Sequence, residues 1–449
     1  MDEHTPIKNG SVLLPEELKR RDVEITAGVI LSVERNIPAR ESTDVIDARG
    51  KYVLPVFMDI HTNGRGRFDP TIDVYDLVFI GFPSNGIGYL NGLDNTLMRY
   101  ARTGVTRAVM IRLASPVSDL TRVLRYISNY RDDFHKQAWS DVLDDPYVGG
   151  TFVKRLEYRG AKNSEHFNEP FQESFDEMQK TAGGLIRIVN VVPEQRADAL
   201  DLIKVLGRKR RGQCHRAYGR YRCAIFRSYK DQAKTRTQFL NSPSGSSVKP
   251  LQGGARPKVC CGATTCLLKI ITSGYYVAKF YVMDNIERKG FDKIVVITDT
   301  MFPTLLEESY KFSMLGIQGK VSLNMEYFHI SDRGDAVFRG TLTMDKVFPN
   351  IPDWPNVAIE GVWHKVRKHL SFKQALSKAS HMRSGSPARV IGNLRAGTPG
   401  DRSNLSRFTK SIEEGRSANA GIPDIKVIHD SHRVRMDRVF VKDNPSRNT

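Results

Sequence analysis

The chain lacks any long apolar run. Its 449 residues contain no stretch approaching the ~18 consecutive apolar residues that a membrane-spanning helix requires. The N-terminus, MDEHTPIKNG, has no basic head followed by an apolar segment, so a secretory signal is not expected. Hydrophobic residues make up 40% and charged residues 26%, which is ordinary for a globular protein. A cytoplasmic location without membrane contact is therefore predicted.

Cysteine is scarce and confined to one region. All five cysteines lie between positions 214 and 266, and the rest of the chain has none. An odd number without a signal segment argues against a disulfide framework. The motif CCGATTC lacks a second well-spaced pair, so it does not match a zinc module.

Acidic residues are too few to balance the basic ones, which leaves a formal net charge of +18. Two segments, 207–236 with a local charge of +10 and 365–449 with +11, account for the whole excess, and the remainder of the chain is close to neutral at −3. A basic protein raises nucleic acid as a partner, but neither segment contains an RNA-binding aromatic signature. Charge alone therefore does not predict a nucleic-acid interface.

Both ends of the chain have the pattern of β-hairpins. VEITAGVILSVE (23–34) alternates apolar and polar residues around Gly28. IKVIHDSHRVRMDRVFVKD (425–443) contains two β-rich runs around Asp430 and Ser431. We expect the two ends to meet in one small β-domain.

Between the ends, strand-like and helix-like segments alternate. RAVMIRLA precedes VSDLTRVLRYISNY, and GLIRIVNVVPE precedes RADALDLIKVLG, whose apolar residues recur at helical spacing. NTLMRYARTG predicts a helix that ends near Gly104, and FDKIVVITDTM is apolar enough for a parallel strand buried on both faces. Repeated strand–helix units predict a (β/α) barrel with insertions, in which chemistry occurs at the C-terminal strand ends. His61 and Asn63, which end the run KYVLPVFMDIHTNG, lie at such an end.

These segments, in this order, resemble the amidohydrolase superfamily, and within it the N-acetylglucosamine-6-phosphate deacetylases that have His-x-Asn instead of His-x-His. DARGKYVLPVFMDIHTNG resembles the start of their barrel. The later similar blocks are GGTFVKRLEYRGAKNSEHFNEP (149–170), LIRIVNVVPE (185–194), QFLNSPSGSSVKP (238–250), SGYYVAKFYVMDNIERKGFDKIVVITDTM (273–301), FRGTLTMDKVF (338–348) and SFKQALSKASHMRSGSPARVIG (371–392). The resemblance implies an α/β fold, with a (β/α)8 TIM-like barrel over residues 55–394. It also implies a small β-sandwich domain from residues 1–54 plus 395–449.

The resemblance further implies metal-dependent hydrolysis of an acetamide. A divalent metal of the zinc or iron type polarises the carbonyl and lowers the pKa of a bound water, for zinc to about 7. An aspartate at a strand end takes the proton of that water and delivers it to the departing amine. Asp299, in VVITDTM, matches this catalytic position. Without the resemblance, the alternative is a helix N-cap at a strand–helix junction.

The implied metal ligands are His61, Asn63, His215 and Gln238. The chain departs from the family pattern at two of the ligand positions: Gly149 stands where the glutamate is expected, and Gln238 stands where a histidine is expected. His215, in QCHRAYG, matches the other metal histidine, although an exposed loop histidine is the alternative. Glycine offers no side-chain ligand and glutamine only a neutral oxygen, so loss of the metal is the competing expectation.

The implied substrate contacts are Lys162, Asn241 and Tyr276. Lys162, in RGAK, replaces a histidine and could meet a phosphate as a point charge; the alternative is a solvated surface lysine. Asn241, in FLNSPSG, matches a substrate-binding asparagine, or else a turn residue. In SGYYV, Ser273 and Tyr276 stand where the family has aspartate and histidine.

Two windows, 208–236 and 255–270, match nothing in the family although their flanks do. They contain most of the crowded arginines and all five cysteines, and they show no steady period. Either the coding frame slipped and returned, or a basic insertion diverged. In both cases a run that is difficult to bury is expected to form loops or to be poorly ordered.

Three functions follow from these patterns. The first is an N-acetylglucosamine-6-phosphate deacetylase, with an amino-sugar phosphate as its small-molecule partner and a homodimer compatible with the family. The second is a catalytically impaired relative that keeps the barrel and sugar-phosphate binding without a functional metal site. The third, a nucleic-acid binder, is supported only by charge.

Overall fold

The computed structural model describes residues 4–14, 17–26, 29–38, 45–83, 87–132, 141–142, 147–152, 164–166, 172–184, 186, 188–191, 197–208, 212–215, 235–236, 266–275, 277, 279–304, 306, 310–331, 337–348, 350, 370–395, 412, 420–428 and 431–439.

The described residues form an α/β structure. The strands are β1 (His4–Leu13), β2 (Leu18–Thr26), β3 (Val29–Glu34), β4 (Ile46–Asp47), β5 (Tyr52–Pro55), β6 (Phe57–Thr62), β7 (Val105–Arg112), β8 (Asp141–Val142), β9 (Tyr147–Phe152), β10 (Ile188–Val191), β11 (Gly212–His215), β12 (Thr235–Arg236), β13 (Leu267–Ile271), β14 (Ile294–Ile297), β15 (Lys311–Met314), β16 (Ile317–Val321), β17 (Tyr327–Ile330), β18 (Val337–Gly340), β19 (Ala420–Ile428) and β20 (Ser431–Val439). The α-helices are α1 (Ile87–Ala101), α2 (Val117–Asp132), α3 (Gln172–Thr181), α4 (Ala197–Arg208), α5 (Lys279–Lys289), α6 (Met344–Val347), α7 (Phe372–Arg383) and α8 (Gly385–Arg395).

One sheet combines strands from both ends of the chain, in the order β20-β19-β5-β1-β2-β3, with β4 beside β1. The predicted hairpin around Gly28 is confirmed, because β2 and β3 pair antiparallel with Thr26 opposite Val29. The predicted C-terminal hairpin is also confirmed, since Ile428 pairs with Ser431 across β19 and β20. Strand β19 also pairs antiparallel with β5, which places the C-terminal hairpin beside the strand that leads into β6.

A second sheet contains parallel strands in the order β14-β13-β12-β11-β10-β9-β7-β6, with β8 beside β7. The two strands at opposite ends of this order also meet. Asn63, just after β6, forms a parallel bridge with Met301, just after β14. The end of the first parallel strand and the end of the last therefore lie side by side.

Helices follow most strands of the parallel sheet, as the apolar spacing predicts. Helices α1, α2 and α4 confirm the three helices expected near Gly104, after RAVMIRLA and after GLIRIVNVVPE. Gly104 has φ +77, a left-handed conformation that favours glycine and ends the turn after α1. The carbonyl of Gly104 accepts a hydrogen bond from the amide of Phe57 at 2.8 Å, which ties the start of β7 to the start of β6.

The apolar core lies between the parallel sheet and these helices. Every residue of β6, β7, β13 and β14 is buried, so the prediction that FDKIVVITDTM contains a buried parallel strand is confirmed. Near the start of β6, the guanidinium of Arg383 in α7 lies 4.0 Å from the ring of Phe57 and 3.3 Å from the ring of Phe348. A helix is thereby held against the N-terminal end of β6.

A third sheet has four antiparallel strands in the order β15-β16-β17-β18. It follows β14 in the chain and precedes α6. Its last residue, Gly340, forms a parallel bridge with Thr300, so β18 is tied to the segment that follows β14. This bridge places residues of β18 next to Asp299.

The prediction that the windows 208–236 and 255–270 form loops is wrong where the structure describes them. Gly212–His215 is strand β11 and pairs with β10. Thr235–Arg236 is strand β12, which joins β11 to β13. Strand β13 begins after the buried Cys266 and is itself buried. Main-chain hydrogen bonds between parallel strands do not depend on side-chain identity, and strands of two to four residues are too short to show a period.

The helices of the described residues include none with the length and apolarity needed to cross a membrane.

Candidate functional site

Three polar side chains point to one face at the end of β6. Asp59, His61 and Asn63 alternate along the strand, and alternate residues of a strand share a face. All three are buried, and the residues between and before them in the strand are apolar or threonine. Burying a polar group without a hydrogen-bond partner is costly, so the partners of these three side chains need to be identified.

Asp299 lies at the corresponding end of β14. Its side chain is fully buried and its backbone has φ +54, in the left-handed region that non-glycine residues seldom adopt. Aspartate and asparagine tolerate this region best, and such outliers concentrate at functional sites. The turn aims the carboxylate across the face on which His61 and Asn63 lie.

The backbones of the two strand ends are hydrogen bonded to each other. The amide of Asn63 donates to the carbonyl of Thr300 at 2.7 Å, and the amide of Asp299 donates to the carbonyl of His61 at 3.0 Å. These bonds fix the relative positions of the four residues before any side chain is considered. The site is therefore held by main-chain pairing.

The side chains meet at one oxygen. Asn63 Nδ2 donates to Asp299 Oδ1 at 2.7 Å, and His61 Nε2 lies 3.6 Å from the same oxygen. The structure thus brings together the His61, Asn63 and Asp299 that the sequence placed at strand ends. Asn63 Oδ1 is buried without a hydrogen-bond partner within the described part of the chain.

A fourth group, which the sequence did not indicate, completes this cluster. Arg339 in β18 is 5% exposed, and its Nη1 donates a hydrogen bond to Asp299 Oδ1 in a buried ion pair. The bridge between Gly340 and Thr300 holds the strand that carries this arginine. Asp299 is therefore paired with a full positive charge inside the fold.

A second acid lies one layer deeper on the same face. Asp59 Oδ2 accepts a hydrogen bond from the hydroxyl of Thr298, and Asp59 Oδ1 accepts from the amide of His61 at 3.2 Å. Burial raises the pKa of the Asp59 carboxyl to about 7, although both hydrogen bonds act in the opposite direction.

Hydroxyl groups connect this acid to the neighbouring helix. Thr298 Oγ1 lies 3.2 Å from Thr300 Oγ1, which lies 3.0 Å from Thr62 Oγ1. Thr62 Oγ1 is 2.5 Å from the hydroxyl of Tyr100 in α1, and burial raises the pKa of that tyrosine. The chain of hydroxyls gives these buried polar groups their partners and fixes β6 against β14 and α1.

Other predicted site residues lie beyond what the structure describes. His215 is the last residue of β11 and pairs with Val191 through the backbone, but its side chain is not among those described. Gln238, Asn241, Lys162 and Tyr276 lie outside the described residues. Their roles stay predictions.

Comparison with known proteins extends these observations. No protein-family model matches the chain. The N-acetyl-D-glucosamine-6-phosphate deacetylase from Mycobacterium smegmatis superposes with a TM-score of 0.73 at 17% identity, over 98% of this chain and 99% of that one. The deacetylase from Pasteurella multocida gives a TM-score of 0.72 at 15% identity, over 98% of each chain. At these identities the likeness shows a shared fold.

Shorter matches come from curated sequences. The dihydroorotase of Staphylococcus aureus is 39% identical over 70 residues, which is 15% of this chain and 16% of that protein. The dihydropyrimidinase of Dictyostelium discoideum is 36% identical over 70 residues, 16% of this chain and 14% of that protein. The chain thus matches about one sixth of the length of these relatives. The resemblance to the amidohydrolase superfamily is confirmed.

An amidohydrolase resemblance implies a divalent metal, and the described donors do not fit one. No cluster of three or more His, Cys, Asp or Glu side chains that could hold a metal ion occurs within the described part of the chain. The carboxylate oxygen nearest to His61 already accepts hydrogen bonds from Arg339 and Asn63. The amide oxygen of Asn63 is neutral, whereas zinc prefers imidazole, thiolate and carboxylate ligands.

The residues that sequence reasoning missed had a weak signal. Asp59 stands inside an apolar run two positions before His61, so the period of the strand places it on the same face. Arg339 stands in the short strand VFRG, where an arginine between buried residues needs a partner. Neither pattern could indicate which residue that partner is.

A third buried acid lies in the loop after β6, outside this cluster. Asp69 Oδ1 accepts a hydrogen bond from the amide of Thr71 at 2.8 Å. Burial raises the pKa of the Asp69 carboxyl to about 7, although hydrogen bonds from Thr71 and the charge of Arg112 act to lower it. Because the folded chain binds this proton more tightly than the unfolded chain, whose aspartates titrate near ~3.9, stability should fall as pH rises from about 4 through 7.

Replacing Asp69 with asparagine should therefore reduce the pH dependence of stability, and the part due to Asp59 should remain. Between pH 5 and pH 8 the variant is expected to gain about 2.5 kcal/mol relative to the original chain, out of the about 4 kcal/mol that a three-unit shift contributes over the whole titration range. Urea unfolding at the two pH values measures the difference. Asp201→Asn, on the exposed face of α4, is the matched control and should leave the pH dependence unchanged. Equal slopes for Asp69→Asn and the original chain would contradict the assignment.

Proposed function

We propose that the chain is an N-acetylglucosamine-6-phosphate deacetylase-like amidohydrolase. It would hydrolyse the acetamide of N-acetylglucosamine 6-phosphate to glucosamine 6-phosphate and acetate. The observation that carries the proposal is the meeting of Asp299 with His61 and Asn63 where β6 and β14 end side by side. The fold shared with deacetylases over nearly the whole chain supports it.

The proposed architecture is a closed (β/α)8 barrel over residues 55–394, with a small β-sandwich domain from residues 1–54 plus 395–449. Two observations support it. The bridge between Asn63 and Met301 joins the two strands at opposite ends of the parallel sheet. Strands β19 and β5 unite the chain ends in a separate sheet. In such a barrel, Asp299 and Asn63 lie at the face where active sites occur.

Asp299 would transfer protons in the reaction. Its carboxylate would accept a proton from the attacking water, which adds to the acetamide carbonyl, and would then deliver it to the nitrogen as the carbon–nitrogen bond breaks. Acetate and the free amine are the products. Asn63 would hold the carboxylate in line through its Nδ2, and its Oδ1 would be open to an N–H group of the substrate.

The substrate in this proposal is an amino-sugar phosphate, as in the M. smegmatis deacetylase mutant that was solved in complex with N-acetyl-D-glucosamine-6-phosphate. Asn241, Lys162 and Tyr276 are the proposed contacts to it. His215 and Gln238, with His61 and Asn63, are the positions that the family uses for metal. A cytoplasmic location and a homodimer stay predictions.

Acetate release tests the function. The full chain is incubated with N-acetylglucosamine 6-phosphate, and acetate is measured by a coupled assay for the original chain and for Asp299→Asn. We expect the variant to be slower by about 10²-fold to 10⁴-fold, as for loss of a proton-transfer group. Asp284→Asn, which changes a partly exposed carboxylate on α5, should keep the full rate. No acetate from the original chain, or equal rates for both aspartate variants, would overturn the proposal.

A second candidate is a relative that binds the sugar phosphate without turning it over. The ion pair between Asp299 and Arg339 favours it, because the guanidinium already occupies a carboxylate oxygen that proton transfer would use. Isothermal titration calorimetry distinguishes the two candidates. Stoichiometric binding of N-acetylglucosamine 6-phosphate with no acetate release would support the second candidate and exclude the first.

A further inference from the structure

Arg339 is placed at Asp299 by the fold and is not a mobile surface residue. Its strand, β18, is buried along its length, and Gly340 is bridged to Thr300, the residue after Asp299. The guanidinium and the carboxylate are both removed from solvent, with side-chain exposures of 6% and 0%. Burying a charge is unfavourable unless an opposite charge lies beside it. Each of the two residues therefore compensates the buried charge of the other.

The groups directed at Asp299 Oδ1 present mainly N–H donors. Arg339 Nη1 and Asn63 Nδ2 both donate to it, and His61 Nε2 is the third nitrogen nearby. A divalent cation beside Asp299 would need lone pairs from the surrounding groups, and it would be repelled by the nearby charge of Arg339. Hydrogen-bond donors and a guanidinium are what a carboxylate requires when no metal ion neutralises it.

We propose that Arg339 is the resident cation of this site and takes the place of the divalent metal that the resemblance implies. The inference rests on the proposed amidohydrolase-type site but not on its activity. Arg339 compensates the charge of Asp299 in the folded chain, and the same charge repels zinc or another divalent ion. The arginine is thus the residue that separates this site from a metal-dependent one.

Zinc binding tests the inference directly. The full chain is dialysed against a chelator, equilibrated with zinc alone, passed through a desalting column and analysed for zinc per chain. Zinc that persists in Asp299→Asn is bound elsewhere and is subtracted. We expect no Asp299-dependent zinc in the original chain or in Arg339→Lys, which keeps the charge. In Arg339→Met, which removes the charge but retains a long side chain, we expect the Asp299-dependent zinc content to rise above that of the original chain and to be lost again on adding Asp299→Asn.

Two results would overturn the inference. One is Asp299-dependent zinc in the original chain, and the other is an Arg339→Met variant that folds, as judged by circular dichroism, and still takes up none. If Arg339→Met does not fold, the original chain and Arg339→Lys still decide the first point. Acetate release separates the two proposals. If Arg339→Met takes up zinc but the original chain releases no acetate, the proposed function is refuted and this inference is not. If zinc restores an Asp299-dependent activity of the original chain, this inference is refuted and the proposed function is not.

Discussion

Replacing Gly64 with alanine is expected to lower the free energy of unfolding by about 3 to 5 kcal/mol. Gly64 follows Asn63 and has φ +87, a conformation that costs an L-residue about 1 to 2 kcal/mol. An added Cβ would lie 2.0 Å from the carbonyl oxygen of Phe68 and 2.9 Å from Pro70 Cδ. That oxygen accepts a hydrogen bond from the amide of Arg65 at 3.1 Å, so the turn must open to make room.

The chain offers a matched control for this effect. Gly50 also has a left-handed backbone, with φ +75, but an added Cβ there would meet no atom within 4 Å. Gly50→Ala should therefore show only the conformational cost of about 1 to 2 kcal/mol. Urea unfolding followed by circular dichroism measures both variants. If Gly64→Ala is no more destabilised than Gly50→Ala, then the close approach of Phe68 is not what requires glycine after Asn63.

The regular elements of this fold follow from local patterns. Strand β14 was predictable because an apolar run of that length suits only a strand buried on both faces. The hairpin around Gly28 and helix α2 were predictable because alternation and helical spacing are each read within one segment. His61 and Asn63 could be placed at the end of a buried strand because the apolar run before them stops there.

The rest depends on contacts that local patterns do not encode. Arg339 lies in the antiparallel sheet, forty residues further along the chain than Asp299, and the bridge between Thr300 and Gly340 helps to bring the two residues together. The left-handed backbone of Asp299 is likewise imposed by its pairing with His61 and is not required by its own sequence. Strands β11 and β12 were missed because an Arg-rich run gives no period over two to four residues.

Removing one partner of the buried ion pair is expected to be among the most destabilising changes in the chain. Asp299→Asn preserves the shape of the side chain and tolerates the left-handed backbone, but it removes the carboxylate that pairs with the buried guanidinium of Arg339. The expected loss is about 3 to 5 kcal/mol of unfolding free energy. Arg339→Met should cost a similar amount, because the buried carboxylate then loses the positive charge that pairs with it.

The double variant separates a true pair from two independent losses. Asp299→Asn with Arg339→Met removes both charges, so its loss should be smaller than the sum of the single losses by about 2 kcal/mol or more. The partly exposed pair of Asp284 and Arg288 on α5 is the control, with an expected coupling below about 0.5 kcal/mol that disappears in 1 M salt. Salt should leave the buried coupling nearly unchanged, since ions do not screen charges enclosed by protein. Additive losses would mean that Arg339 does not compensate Asp299 in solution, and the site would then be open to another cation.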